Sequence, residues 1–153
     1  MKTDDEISSA ITRAHQEEAA FADFLRGFDL SVTALSRGFR ASLTDIQQYA
    51  HDVDLNVAGY ACQYKCRGNV QLGRIVRNYW GPFVDEKVKA DRTPVDFYIL
   101  DFQDATIVVP YEPTLWKVQT SDDRSDRARG KQFYVVNVRD CTPLLAWIDW
   151  LRT

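Results

Sequence analysis

No stretch of this 153-residue sequence approaches the roughly 18–20 consecutive apolar residues that span a bilayer, so no membrane partner is expected. Cysteine is scarce, with three in all, and the acidic start MKTDDEISSA carries no apolar core of a secretory signal. Reduced thiols in a cytoplasmic protein are the expectation. Seven glycines form no phosphate-cradling loop, there is no Gly-x-Ser-x-Gly elbow, and no Cys–His pair can be placed for nucleophilic catalysis. An excess of positive charge is also missing. Lysine plus arginine number 19 against 22 aspartates and glutamates, a net of −3. Proteins that live on nucleic acid are usually basic, because phosphate neutralisation supplies much of their affinity. The overall balance counts against such a partner.

What is present is ordinary globular material. Hydrophobic residues make up 45% and charged residues 27%, and the length suits one domain over 1–153 with a proper core. Charge is unevenly spread. Residues 1–29 carry Lys2, Arg13 and Arg26 against seven carboxylates, a net of −4. Residues 64–92 carry Lys65, Arg67, Arg74, Arg77, Lys87, Lys89 and Arg92 against Asp85, Glu86 and Asp91, a net of +4. One region can therefore face an anion although the whole does not.

Three- and four-residue steps through Ile7, Ile11, Ala14, Phe21, Leu25 and Phe28 predict a helix from Asp5 to Arg26, closed by Gly27. Glu18 falls on that apolar stripe, where a carboxylate needs a reason; the plainer reading is that it reaches out to solvent. LSVTALS reads equally as a strand or as the opening of a helix, and Ser42 with Asp45 favours a short helix over 43–50. VDLNVAGYACQYKC reads as a strand, a turn at Gly59 and a second strand. A helix around Val70–Tyr79 follows, then a connection through WGPF and DEKVKADRTP. VDFYILDF and ATIVVPYE form an aromatic, β-branched pair turning at Gln103-Asp104, with Pro110 at an edge or exit. LWKVQT and KQFYVVNV are further strands around the polar loop SDDRSDRARG. TPLLAWIDWLRT closes the sequence as a helix with Pro143 in its first turn. This order gives an α/β fold class with a central mixed β-sheet flanked by helices.

The run Cys62-Gln63-Tyr64-Lys65-Cys66 is unusual for a strand. Alternation puts Cys62, Tyr64 and Cys66 on one face, as packing residues, and Gln63 and Lys65 together on the other. On a strand the two thiols stand roughly 13 Å apart. That is too far for one zinc ion or a disulfide, so Cys62, Cys66, Cys141, His15 and His51 are not expected to hold zinc. Upstream, Asp52 and Asp54 share a face of the preceding arm. An aspartate and an amide carbonyl are hard ligands for Mg²⁺, and a neighbouring lysine can orient a metal-bound water and stabilise charge on a phosphate. The plainer alternative sets Gln63 and Lys65 on a solvated sheet face.

Around HDVDLNVAGYACQYKCRG the sequence resembles the PD-(D/E)XK nuclease superfamily, the restriction-endonuclease-like fold. The likeness is nearest to branches with glutamine in place of the acid, such as group I intron homing endonucleases. Asp54 (or Asp52) matches the metal-binding acid and Gln63-Tyr64-Lys65 the acid-x-lysine element, without the proline. The glutamate on the helix before the first strand has Glu18 or Glu17 as counterpart, and PVDFYILDFQDATIVVPYE resembles the strand pair after the active-site strand. The resemblance covers residues 15–112 loosely. It implies a Mg²⁺-dependent DNA endonuclease, homing-type in its nearest likeness, with Asp54, Gln63 and Glu18 holding the metal and Lys65 assisting the water. Arg67, Arg74 and Arg77 would contact phosphates of double-stranded DNA, and cleavage of both strands implies at least a homo-oligomer. Asp85-Glu86-Lys87 also satisfies the acid-x-lysine pattern, but Gly81, Pro82 and the surrounding charges argue for a loop there.

A second function class competes. An acidic, non-enzymatic interaction protein, such as an immunity protein, inhibitor or regulator, would face a basic protein partner with its N-terminal helix. Of the four tryptophans, Trp116, Trp147 and Trp150 read as core. Trp80 reads as a loop anchor, with base stacking the sharper alternative. Arg124, Arg127, Arg129 and Lys131 alternate with aspartates, the signature of a self-compensated loop.

Overall fold

The computed structural model describes residues 3–34, 54–121 and 130–153, apart from the side chains of residues 7, 8 and 10–12. Helix α1 (Asp4–Arg26) starts in a capping box, with Thr3 accepting from the Glu6 N–H and Glu6 answering to Thr3, and Gly27 caps its end. The chain then forms β1 (Val32–Ala34), β2 (Leu55–Val57) and β3 (Tyr60–Arg67). The segment 35–53, including the helix expected over 43–50 and Asp52, lies outside the described residues.

Between β2 and β3 a two-residue turn, Ala58-Gly59, has positive φ at both positions, 51° and 92°. The Asn56 side chain braces it by accepting from the Gly59 N–H at 3.1 Å. Such a turn matches the twist of its strands but suits Asn-Gly better than Ala-Gly. The left-handed region costs an L-residue with a Cβ roughly 1–2 kcal/mol. Ala58→Asn is therefore expected to stabilise the protein by about 0.5–1 kcal/mol, seen as a higher urea midpoint with unchanged slope.

After β3 come α2 (Leu72–Asn78), β4 (Phe83–Glu86), α3 (Lys87–Arg92), β5 (Phe97–Phe102), β6 (Thr106–Pro110), β7 (Lys117–Thr120), β8 (Gln132–Val135), β9 (Thr142–Pro143) and α4 (Leu144–Leu151). Six strands make a mixed sheet in the order β1-β2-β3-β5-β6-β9. In it β3 and β5 run parallel, Gln63 beside Tyr98 and Lys65 beside Leu100, while the other pairs are antiparallel. The expected α/β domain with a central mixed sheet is present.

Three expectations change. The strands LWKVQT and KQFYVVNV, β7 and β8, do not join the central sheet; with β4 they make a separate three-stranded sheet. The connection through DEKVKADRTP is instead strand β4 running directly into helix α3. Its apolar content is low, so neither period stood out in the sequence. Pro143 is not inside the first turn of α4 but extended at its N-cap, paired with Ile107 of β6.

The two faces of the central sheet carry separate cores. On one, α1 and α4 cover Leu55, Val57, Cys62, Tyr64 and Ile99, with Phe21 stacked on Tyr64 at 4.5 Å. On the other, the three-stranded sheet and the short helices cover Tyr98, Leu100, Phe102, Ile107 and Val109. Alternation along β3 and β5 produces this division. Trp116 and Trp147 are buried as expected, but Trp150 is half exposed, its ring lying against Tyr60 and Phe97.

The Gln103-Asp104 turn forms between β5 and β6 as expected, and Asp104 has a second task. Its carboxylate accepts from the Leu72 N–H at 2.6 Å and the Gly73 N–H at 3.0 Å, capping α2 from another part of the chain. The Gly73 N–H, followed by that of Leu72, holds its carboxyl below the ordinary 3.8. The carboxylate is thus favoured in the folded chain. Its stabilisation is complete above the unfolded value and lost as pH falls through the depressed native one. Asp104→Asn should lower the urea midpoint at pH 7, and the deficit relative to wild type should shrink as the solution is acidified below pH ~4.

Candidate functional site

Strand β3 delivers what its alternation promised. Cys62 and Tyr64 face α1, while Gln63, Lys65 and Arg67 face the second sheet. Cys66 shares the α1 face but lies past the edge of the core and is exposed. All three thiols are raised above their ordinary value, which disfavours the thiolate. Burial, and then Asp96, pushes Cys62 up to about 12; burial, and then Asp140, does the same to Cys141. Cys66 is raised by partial burial and by Glu17. Thiolates are what metals and electrophiles need.

Gln63 is not on a solvated face. It is 8% exposed, and with Glu18, also 8% exposed, it makes up the buried polar side chains among the described residues. The expectation that Glu18 reaches solvent is likewise overturned. It lies one turn before Phe21 on the covered side of α1, and both Glu18 and Gln63 are partnered. Burying a carboxylate and an amide this deeply costs several kcal/mol unless their polar atoms are satisfied.

Asp54 sits just before β2, half-buried. Leu55 pairs with Cys62, so the register continued by one residue sets Asp54 opposite Gln63. The β2–β3 ladder stops there, and the Asp54 carboxylate takes over by accepting from the Tyr64 N–H at 3.0 Å. The structure thus brings Asp54 to the edge of β3 beside Gln63 and Lys65. Glu18 and Glu17 belong to α1, on the opposite face of the sheet. Below them the Tyr64 hydroxyl donates to Asp101 at 2.5 Å, and Asp101 also accepts from Thr106 at 2.7 Å.

On the Gln63 face Lys65 meets a residue of the pattern assigned to a loop. Its Nζ lies 3.5 Å from Asp85 Oδ2 on β4. Asp85 also accepts from the Glu86 N–H at 2.8 Å. A register irregularity between Phe83 and Asp85, where β4 pairs with β8, accompanies this placement. The guanidinium of Arg67 donates to the carbonyls of Phe83 and of Val84, the latter at 3.1 Å, tying β3 to β4. Burial lowers its pKa, with Asp85 opposing. Arg67 is thus half-buried and engaged in the fold rather than open to a phosphate, whereas Arg74 and Arg77 stand exposed on α2.

Lys65, Arg67, Asp85, Glu86 and Lys89 are the charged walls of a cleft of about 310 Å³ between the sheets, which Asp54 and Gln63 do not line. Lys89 and Lys131 both approach Glu86, at 4.0 and 3.9 Å. Asp85, Glu86, Lys89, Phe83 and Phe133 were missed as site residues. The acid-x-lysine spelling of residues 85–87 was their one signal in the sequence. The Lys117 ammonium sits 4.4 Å over one face of the Trp80 ring.

Among the described residues no three His, Cys, Asp or Glu side chains converge as a metal-binding group, and no helix is long and apolar enough to cross a membrane. Comparison with family models, with curated proteins and with solved structures gives no match. The fold and site define a single-domain α/β protein with a charged cleft beside its central parallel strand pair.

Proposed function

We propose that this protein is a Mg²⁺-dependent nuclease of the restriction-endonuclease-like fold, hydrolysing phosphodiester bonds in DNA. The observation that carries the reading is the edge of β3. Gln63 and Lys65 share one face there, and the carboxylate of Asp54 closes the ladder at the same point, bonded to the Tyr64 N–H. The element order agrees with the resemblance. A helix bearing a buried glutamate precedes the strands, the glutamine-x-lysine strand follows a short antiparallel arm, and an aromatic strand pair comes after.

The donor set is all oxygen and suits a hard divalent ion. Asp54 and Gln63 would hold it, with Glu18 or Glu17 of α1 as the further carboxylate. When bound, such an ion polarises a phosphoryl oxygen and acidifies a water. Lys65 orients the attacking water and offsets negative charge building on the phosphate. Asp85 keeps the ammonium of Lys65 directed into the cleft. Arg74 and Arg77 hold the DNA backbone, and cleavage of both strands of a duplex requires two copies of the chain.

The test is cleavage of plasmid and oligonucleotide DNA with Mg²⁺ at low salt, comparing wild type with Asp54→Ala and Lys65 variants. Metal-dependent nicking lost in both supports the reading. A non-catalytic alternative is favoured by the exposed carboxylates of α1, Asp4, Asp5, Glu6 and Asp23, which suit a basic protein partner. That reading predicts no cleavage and unaltered partner binding in the Lys65 variants.

A further inference from the structure

Beside the charged cleft lies a second groove of about 410 Å³ between α2 and the three-stranded sheet, with Ile75 and Phe83 lining both. The character changes from one to the other. At the β3 end the walls are charged, with Lys65, Arg67 and Lys89 against Asp85 and Glu86; at the far end Tyr79 and Phe83 stand in the lining. Tyr79 is 68% exposed and Phe83 42% exposed, and Phe83 leans on Phe133 with ring centroids 5.2 Å apart.

Among the described residues the charge at the near end is not self-compensated. Lys89 and Lys131 both depend on Glu86, each about 4 Å away, and Lys65 shares Asp85 with its neighbours. Two ammonium groups around one carboxylate leave a net positive field, which attracts an anion. An apolar peptide would fill the aromatic end but leave that field unanswered. A chain of phosphates carrying flat rings answers both.

The geometry points to single-stranded nucleic acid as the occupant, its phosphates at the Lys65–Lys89 end and an unpaired base stacked at Tyr79 and Phe83. This inference rests on the nuclease reading and specifies the state of its substrate. The physical reason for a single strand is that paired bases present only their edges in the grooves, their faces being covered by neighbours. An aromatic side chain can stack on a π-face only if the base is unpaired or flipped out of the stack.

Binding without cleavage tests it. Fluorescein-labelled oligothymidine, its duplex with oligoadenosine, and a strand of abasic spacers of equal length are titrated with the full chain in EDTA at low salt. Oligothymidine should bind at least about tenfold tighter than the duplex or the abasic strand. Tyr79→Ala and Phe83→Ala should each weaken oligothymidine binding by about five- to hundredfold while leaving the abasic strand unaffected. Tyr79 is the safer variant, because so exposed a ring contributes little to folding. Equal affinity for all three probes, or no effect of either substitution, overturns the inference. Metal-dependent cleavage of duplex DNA by a protein that ignores oligothymidine would overturn it and leave the nuclease standing. Stacking-dependent capture without cleavage under Mg²⁺ would support it and remove the nuclease.

Discussion

If the protein is the nuclease proposed, Lys65→Met is expected to reduce metal-dependent DNA cleavage by about 10²–10³-fold, the usual cost of removing one preorganised donor from a developing negative charge. Methionine keeps the length and much of the apolar stem of lysine, so packing against the cleft wall survives. The lost ion pair is worth little. Its 3.5 Å separation and the partial exposure of both side chains place it within the ~0–1 kcal/mol range of solvent-screened pairs. Asp85 is not stranded by the change, since the Glu86 N–H still donates to it at 2.8 Å and the Tyr98 hydroxyl lies beside it. Urea unfolding should therefore move by less than ~1 kcal/mol while the cleavage rate collapses. Arginine at the same position should restore only part of the rate, because its planar fork directs its donors differently from a compact ammonium. Undiminished nicking by Lys65→Met would remove the lysine from the chemistry.

The largest effect on stability should come from Gly81→Ala. A Cβ built on Gly81 would stand 1.8 Å from the carbonyl oxygen of Val136 and 2.8 Å from its carbon. Both are backbone atoms of a fully buried residue, so no side chain can swing aside. Nor can the two segments separate freely. The Val136 N–H donates to the Pro82 carbonyl at 3.1 Å, and just beyond it Phe83 pairs with Val135. Making room for one methyl means parting β4 from β8 at the point where the cleft is built. Overpacking of this kind costs about 3 kcal/mol, a large share of a marginal stability. Gly130→Ala is the control. No described residue comes within 4 Å of a Cβ there and its φ is +74°, so the left-handed backbone penalty of about 1–2 kcal/mol is what is expected. A Gly81→Ala midpoint no lower than that of Gly130→Ala would show that the approach to Val136 relaxes cheaply.

Gly81 also shows where sequence reading stops. In WGPF the glycine and proline look like punctuation between elements. The glycine is required by a backbone 55 positions away in the chain, which no local pattern encodes. The same limit hid β4. Phe83 to Glu86 is four residues long with two carboxylates, too short and too polar to show a period of two, and it is a strand because β8 pairs with it. Once it is a strand, Asp85 and Glu86 become walls of a cleft rather than loop charges.

The sequence by itself determined the elements whose burial is periodic. Helix α1, the β2–β3 arm, the β5–β6 hairpin and α4 each repeat their apolar residues at the spacing of their own geometry. The opposition of Cys62 and Tyr64 to Gln63 and Lys65 follows from strand alternation alone. Tertiary structure alone decided what those faces meet. That Gln63 and Glu18 are buried rather than solvated, that Lys65 meets Asp85, and that Arg67 ties two sheets together depend on contacts between distant segments. A side chain's direction is set by its own backbone, but its environment is set by whichever element packs against it.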